Sequence, residues 1–168
     1  MYGGTFNDFI DDLSRMPDFL GLLKLQEKNK HDGTASEQVL KFFAYKNFRE
    51  SFDGKVERFL NRYMEKVAEG FDYAGERQSF SNAASKLYEI CDQAPFLRAG
   101  HALTPLVQFE ACLVAIAELQ RDGVEVIVPE PDWLSDEELR TSSTRGSNTN
   151  SMLRRRLDRA KVLLSGRA

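Results

Sequence analysis

A chain of 168 residues, 42% hydrophobic, 29% charged and with a net charge of −3, is long enough for one globular domain with a real core. Its two cysteines, Cys91 and Cys112, lie in helical patterns without a CxxC or a histidine pair, which argues against a zinc site and for reduced thiols. The longest purely apolar run, Ala111 to Ala117, is too short to span a bilayer, and no signal-peptide pattern precedes the first helical stretch; a cytoplasmic location is expected.

Helical signals recur from end to end. After a Gly3-Gly4 turn, Phe6, Phe9, Ile10 and Leu13 fall at i, i+3, i+4, i+7, with Thr5 available as N-cap. Met16-Pro17 breaks that run, and Pro17 suits the first turn of a short second helix reaching about Leu23. Gln26 to Gly33 is polar and reads as an exposed loop. Thr34-Ala-Ser-Glu37 is a capping-box pattern before Val39, Leu40, Phe43, Ala44 and Phe48. A turn at Asp53-Gly54 follows. Val56, Phe59, Leu60, Tyr63, Met64 and Val67 then form the cleanest amphipathic stripe in the chain, closed by Gly70.

Phe80, Ala83, Ala84, Leu87 and Cys91 define a fifth helix that stops before Pro95. Thr104-Pro105 predicts the start of a sixth, with Thr104 as N-cap and Pro105 at the first helical position. Between Phe109 and Leu119 that helix is apolar almost all round, as the central element of a bundle must be. Gly123 ends it. Val124 to Val128 is the only strand-like segment, too short and isolated to found a sheet. Ser135-Asp-Glu-Glu138 is a further capping box opening a short helix. TSSTRGSNTNS is a small-polar linker, and Met152 to Leu164 is a last helix with Leu153, Leu157, Ala160 and Leu164 on one face. The expectation is an all-α fold: a compact bundle over residues 1–139, a central apolar helix, and a linker with a basic helix over 140–168 packed on the same domain. Phe43, Phe59, Leu60, Tyr63, Leu87, Leu113 and Ile116 are expected to share one core.

Charge divides along the same line. From Arg140 onward eight Lys/Arg stand against the single acid Asp158, a tail of +7, so residues 1–139 carry −10. Such a split suits a basic surface with its own task, or a tail that docks on the acidic body.

Few residues suggest chemistry. His31 and His101 have no partners at metal-binding or catalytic spacing, and surface or capping roles are expected for both. Acids such as Asp11-Asp12, Glu57, Glu65 and Asp136-Glu137-Glu138 fall on outer faces or in first turns, where the helix dipole favours them. Gly3-Gly4 before a helix is better read as a turn than a phosphate cradle, because neither GxxxxGK[ST] nor GxGxxG is present. No catalytic residue, metal site or cofactor is assigned. The cluster with nucleic-acid character is Arg145, Ser147 and Asn148 followed by Arg154, Arg155 and Arg159: hydroxyl and amide donors with guanidinium groups behind them suit phosphate oxygens. Equally, these arginines can pair with acids on the body and cover apolar surface with their stems. Both readings stand.

The opening YGGTFNDFIDDL, the paired helices EQVLKFFAYKNFRESFDGKVERFLN and the closing TRGSNTNSMLRRRLDRAKVLL together resemble the C-terminal helical half of the GmrSD-type restriction endonuclease family, over nearly the whole chain. In that family the front half is ParB/sulfiredoxin-like, and catalytic and nucleotide-binding motifs belong to it or to a downstream HNH domain. The resemblance therefore implies a non-catalytic scaffold or interaction module of a DNA-restriction, anti-phage protein, with a catalytic half or subunit as partner. The alternative is an autonomous, nonspecific nucleic-acid binder working through the basic helix, with DNA as its ligand and no membrane involved.

Overall fold

A computed structural model describes residues 4–144 and 146–167. Eight α-helices run through them: α1 (Gly4–Ser14), α2 (Pro17–Leu22), α3 (Thr34–Phe48), α4 (Val56–Val67), α5 (Tyr73–Ile90), α6 (Leu106–Arg121), α7 (Glu137–Thr141) and α8 (Asn150–Ser165). No strand occurs among the described residues, so the fold is an all-α bundle. Val124–Val128 is extended but makes no ladder; Ile127 N–H donates instead to the Leu164 carbonyl at 2.8 Å.

The bundle is built round α6. Every residue from Gln108 to Leu119 is buried, because α3, α5 and α8 cover the helix from different sides. The seven expected core residues all lie in one hydrophobic cluster. In α4 the stripe closes as its periodicity predicts, with Phe59, Leu60, Tyr63 and Val67 buried. Large rings fill the space between α1, α3 and α5. Phe43 lies 5.6 Å from Phe9, 5.8 Å from Phe71 and 6.0 Å from Phe80, the second contact edge-on. Cys91 and Cys112 are both free thiols; burial pushes the Cys91 thiol up to about 11 and Cys112 higher still, so neither is poised to react.

Helix starts depart from the capping patterns. Thr5 lies inside α1, and Gly3 falls outside the described residues. Thr34 is the first residue of α3 rather than its cap; Gly33 holds the cap position at φ +90°, and the Asp32 carboxylate accepts from Thr34 N–H at 3.0 Å. The Thr104 hydroxyl is taken by tertiary contacts, accepting from Lys24 N–H at 2.8 Å and donating to the Leu22 carbonyl at 3.1 Å, so Pro105 caps α6. In α7 the cap is Asp136, not Ser135, and its carboxylate accepts from Leu139 N–H at 2.9 Å. The fifth helix starts earlier than its apolar stripe, at Tyr73, because Asp72 caps it through Gly75 N–H.

Candidate functional site: the basic face of the last helix

The last helix begins where the polar linker meets the turn after α3. Thr149 caps it, its hydroxyl accepting from Met152 N–H at 3.1 Å. One residue on, the Asn150 amide donates to the carbonyls of Arg49 and Phe52, each at 3.1 Å, and ties the start of α8 to that turn. Gly54 makes the approach possible. It sits at φ +92°, and a Cβ there would stand 2.5 Å from the Asn148 carbonyl oxygen. Any side chain meets both obstacles at once.

Beyond its first turn, α8 spends its cations inside the molecule. Arg155 Nε donates to Glu138 at 2.7 Å, with both side chains still close to half exposed. Arg159 grips Asp136 through two parallel bonds, Nε to Oδ1 at 3.0 Å and Nη2 to Oδ2 at 2.7 Å. The Arg159 guanidinium and the bond from Leu139 N–H hold the Asp136 carboxyl below the usual carboxylate range. Arg156 is buried; its Nη1 donates to the carbonyls of Ser142 at 3.1 Å and Ser147 at 2.8 Å, closing the linker over α8. Burial depresses the Arg156 guanidinium, against the pull of Glu110 and Tyr45. At the far end Lys161 reaches Glu118 at 2.6 Å.

Glu118 is the deepest part of this seam. Only 1% of its side chain is exposed, and it sits between Lys161 on α8 and Arg49, whose guanidinium contributes bonds of 2.5 and 3.1 Å. Burial by itself would raise the carboxyl, but the bonds from Arg49 and Lys161 outweigh it and hold Glu118 below its ordinary value. A second buried acid of α6, Glu110, is met by Lys41 at 3.2 Å and Gln38 at 3.1 Å.

The residues singled out from the sequence are therefore not one surface. Arg155 and Arg159 face α7 and are paired. Ser147 is buried and contributes its carbonyl to Arg156. Asn148 and Arg154 are exposed at the start of α8, with Arg154 reaching only its own Asn150 at 3.5 Å. Arg145 lies outside the described residues. Arg49, Glu118 and Lys161 carry no site role in the sequence reading, while Gly54 reads there only as a turn and Asn150 and Arg156 only as part of the polar, arginine-rich stretch; the one available signal for the seam was Glu110 and Glu118 standing inside the apolar run of α6, where a buried acid demands a partner. His31 and His101 are exposed. Among the described residues no group of three or more His, Cys, Asp or Glu is arranged to hold a metal ion, and no helix is long and apolar enough to cross a membrane. No family model, curated protein or solved structure matches the chain.

Proposed function

We propose that the chain is a helical scaffold and interaction module of a DNA-restriction type protein, working with a ParB/sulfiredoxin-like catalytic half, as its resemblance to the GmrSD-type family implies. The observation that carries this reading over an autonomous nucleic-acid binder is the inward use of the basic tail. Arg155, Arg156, Arg159 and Lys161 all have intramolecular partners, so their first task is to fasten α8 to α6, to α7 with its cap, and to the linker that precedes α8. A cation engaged by a carboxylate releases few counterions to DNA. Coexpression tests the reading. Phage restriction that requires both this chain and the ParB-like half of a GmrSD-type protein is expected, while the purified chain alone leaves DNA and nucleotides intact. Metal-dependent cleavage by the purified chain, abolished by one carboxylate or histidine substitution, overturns it.

A narrower DNA role is favoured by one feature. Arg154 and Asn148 are exposed together at the start of α8, next to the Gly54 turn and its exposed neighbour Lys55. In a larger assembly these groups can add a phosphate contact, while the isolated chain binds DNA poorly.

A further inference from the structure

Between α6 and α7 the chain runs extended, and this stretch carries half of the exposed large hydrophobic side chains among the described residues: Ile127 at 37% and Val128 at 65% exposure. Their neighbours make the exposure concave rather than scattered. Ile127, Val128, Pro129 and Trp133 form one wall of a groove of about 560 Å³, and Val162 and Leu163 of α8 form the other. Gly166 closes the end; a Cβ there would stand 3.1 Å from Ile127 Cδ1. Trp133, the only tryptophan of the chain, is partly buried, its ring edge-on to Phe96 at 6.1 Å.

Two further features say what covers this groove. The first is the backbone. Residues 124–128 have the composition of a strand, with Val126 buried while Glu125 and Ile127 on either side are exposed, yet among the described residues no strand lies beside them. Ile127 N–H is used on Leu164, whereas no hydrogen bond is made by Glu125, Val126 or Val128 among the described residues. An extended edge with unused N–H and C=O groups is a template for one more strand. The second is charge. Glu130 and Asp132 line the groove and are exposed, Glu125 is exposed on the same stretch of chain, and no Lys or Arg lines the groove among the described residues. Pairing two copies of this chain edge to edge would set these acids against one another, which disfavours a homodimer. A basic segment gains from the same field.

We propose that this groove is a docking site for a partner protein's extended segment, apolar at its centre and flanked by lysine or arginine, which adds a strand to residues 125–128. This rests on the reading of the chain as an interaction module and names the chemistry of the partner it takes.

The probe is a fluorescein-labelled peptide of alternating valine and threonine with two lysines at each end, compared with the same peptide ending in glutamates. Saturable binding of the lysine peptide is expected, with a change in Trp133 fluorescence and slowed amide exchange confined to residues 125–128. Val128→Glu changes a side chain already in water, so it leaves the fold intact and weakens binding at least tenfold. Glu130→Lys weakens the lysine peptide and strengthens the glutamate one. Absence of saturable binding, equal binding by Val128→Glu, or indifference to the peptide's charge overturns the proposal, as does a concentration-dependent dimer abolished by Val128→Glu. Coexpression separates this from the module reading. Restriction that needs both halves but survives Val128→Glu removes the groove and leaves the module standing; peptide binding as expected with no restriction in any combination does the reverse.

Discussion

Two regions of this bundle are held by opposite means. Between α1, α3 and α5 the contacts are rings on rings: Phe9, Phe42, Phe43, Phe71 and Phe80 touch at 5.0 to 6.0 Å in tilted or edge-on pairs. Where α8 meets α6 and α7, leucines supply the area, but charged groups set the geometry, from Glu118 in the interior to Glu138 at the surface. Apolar burial is roughly proportional to area and indifferent to small rotations. A buried ion pair is weak evidence for stability but costly to break on one side only, to the extent that the orphaned charge stays out of water. The aromatic half therefore accounts for how firmly the bundle folds. The seam accounts for where the last helix sits, and hence for the shape of the groove that α8 shares with the 127–133 segment.

Breaking the aromatic side gives the largest effect. Phe43→Ala removes a fully buried ring from the middle of the web and is expected to lower the unfolding free energy by about 3–5 kcal/mol, read from urea titrations at constant slope. Breaking the seam gives less. Glu118→Ala leaves Arg49 and Lys161 without their carboxylate, but both keep 28% of their side chains exposed and can turn to water, so about 2 kcal/mol is expected rather than the cost of a fully trapped charge. The seam variant should also free the end of α8, seen as faster amide exchange near Leu164 and Ile127, which Phe43→Ala does not do selectively. A Glu118→Ala loss as large as that of Phe43→Ala removes the distinction between the two regions.

Acid sharpens the same comparison. The folded state holds Glu118 and Asp136 below their ordinary carboxylate values, so the unfolded chain binds more protons as the pH drops. Their contribution is complete above the ordinary carboxylate value of about 4 and is lost as pH falls through the lower folded-state values. Urea midpoints should be level at neutral pH and fall below that range, with a shallower fall in Glu118→Gln. An equal acid response in wild type and Glu118→Gln places the titrating group elsewhere.

Legibility in the sequence follows the same division. Helix periodicity needs only residues within a turn or two of one another, so the stripe of α4 and the central, all-round apolar α6 could be read directly. Helix caps were less legible because the competing partner is distant: Leu22 and Lys24 claim Thr104 across about 80 residues of chain. Val124–Val128 reads as strand-like but too short and isolated to found a sheet; it is extended, and among the described residues no strand pairs with it. The basic tail left two readings open for a physical reason. An arginine that meets a phosphate and one that meets a carboxylate look alike in sequence, and only the placement of α7 against α8 shows that carboxylates lie within reach of Arg155 and Arg159. Arg156 shows the limit most clearly, since a buried guanidinium bonded to two linker carbonyls has no local signature at all.

The smallest expected effects come from the surface end of the seam, and they decide what the remaining cations do. Arg155→Ala removes a pair between two side chains that stay 40% and 44% exposed, so its stability cost should lie within about 1 kcal/mol. Arg154→Ala removes only a long contact to Asn150 on an exposed turn and should not alter stability measurably. Their effects on DNA should separate. Because Arg155 is engaged by Glu138, replacing it leaves Glu138 unpaired on that face and does not subtract a free phosphate ligand. Arg154 has no carboxylate partner among the described residues, so it is the cation of α8 most available to a phosphate. In a titration with duplex DNA at two salt concentrations the isolated chain is expected to bind weakly at low salt and not at high salt. Arg154→Ala should remove part of that weak signal, and Arg155→Ala should remove none beyond the added negative charge. Tight, salt-resistant binding by wild type, or a loss on Arg155→Ala larger than on Arg154→Ala, means that α8 releases its seam to meet DNA. In that event the ion pairs on α7 are a resting arrangement and not a fixed fastening.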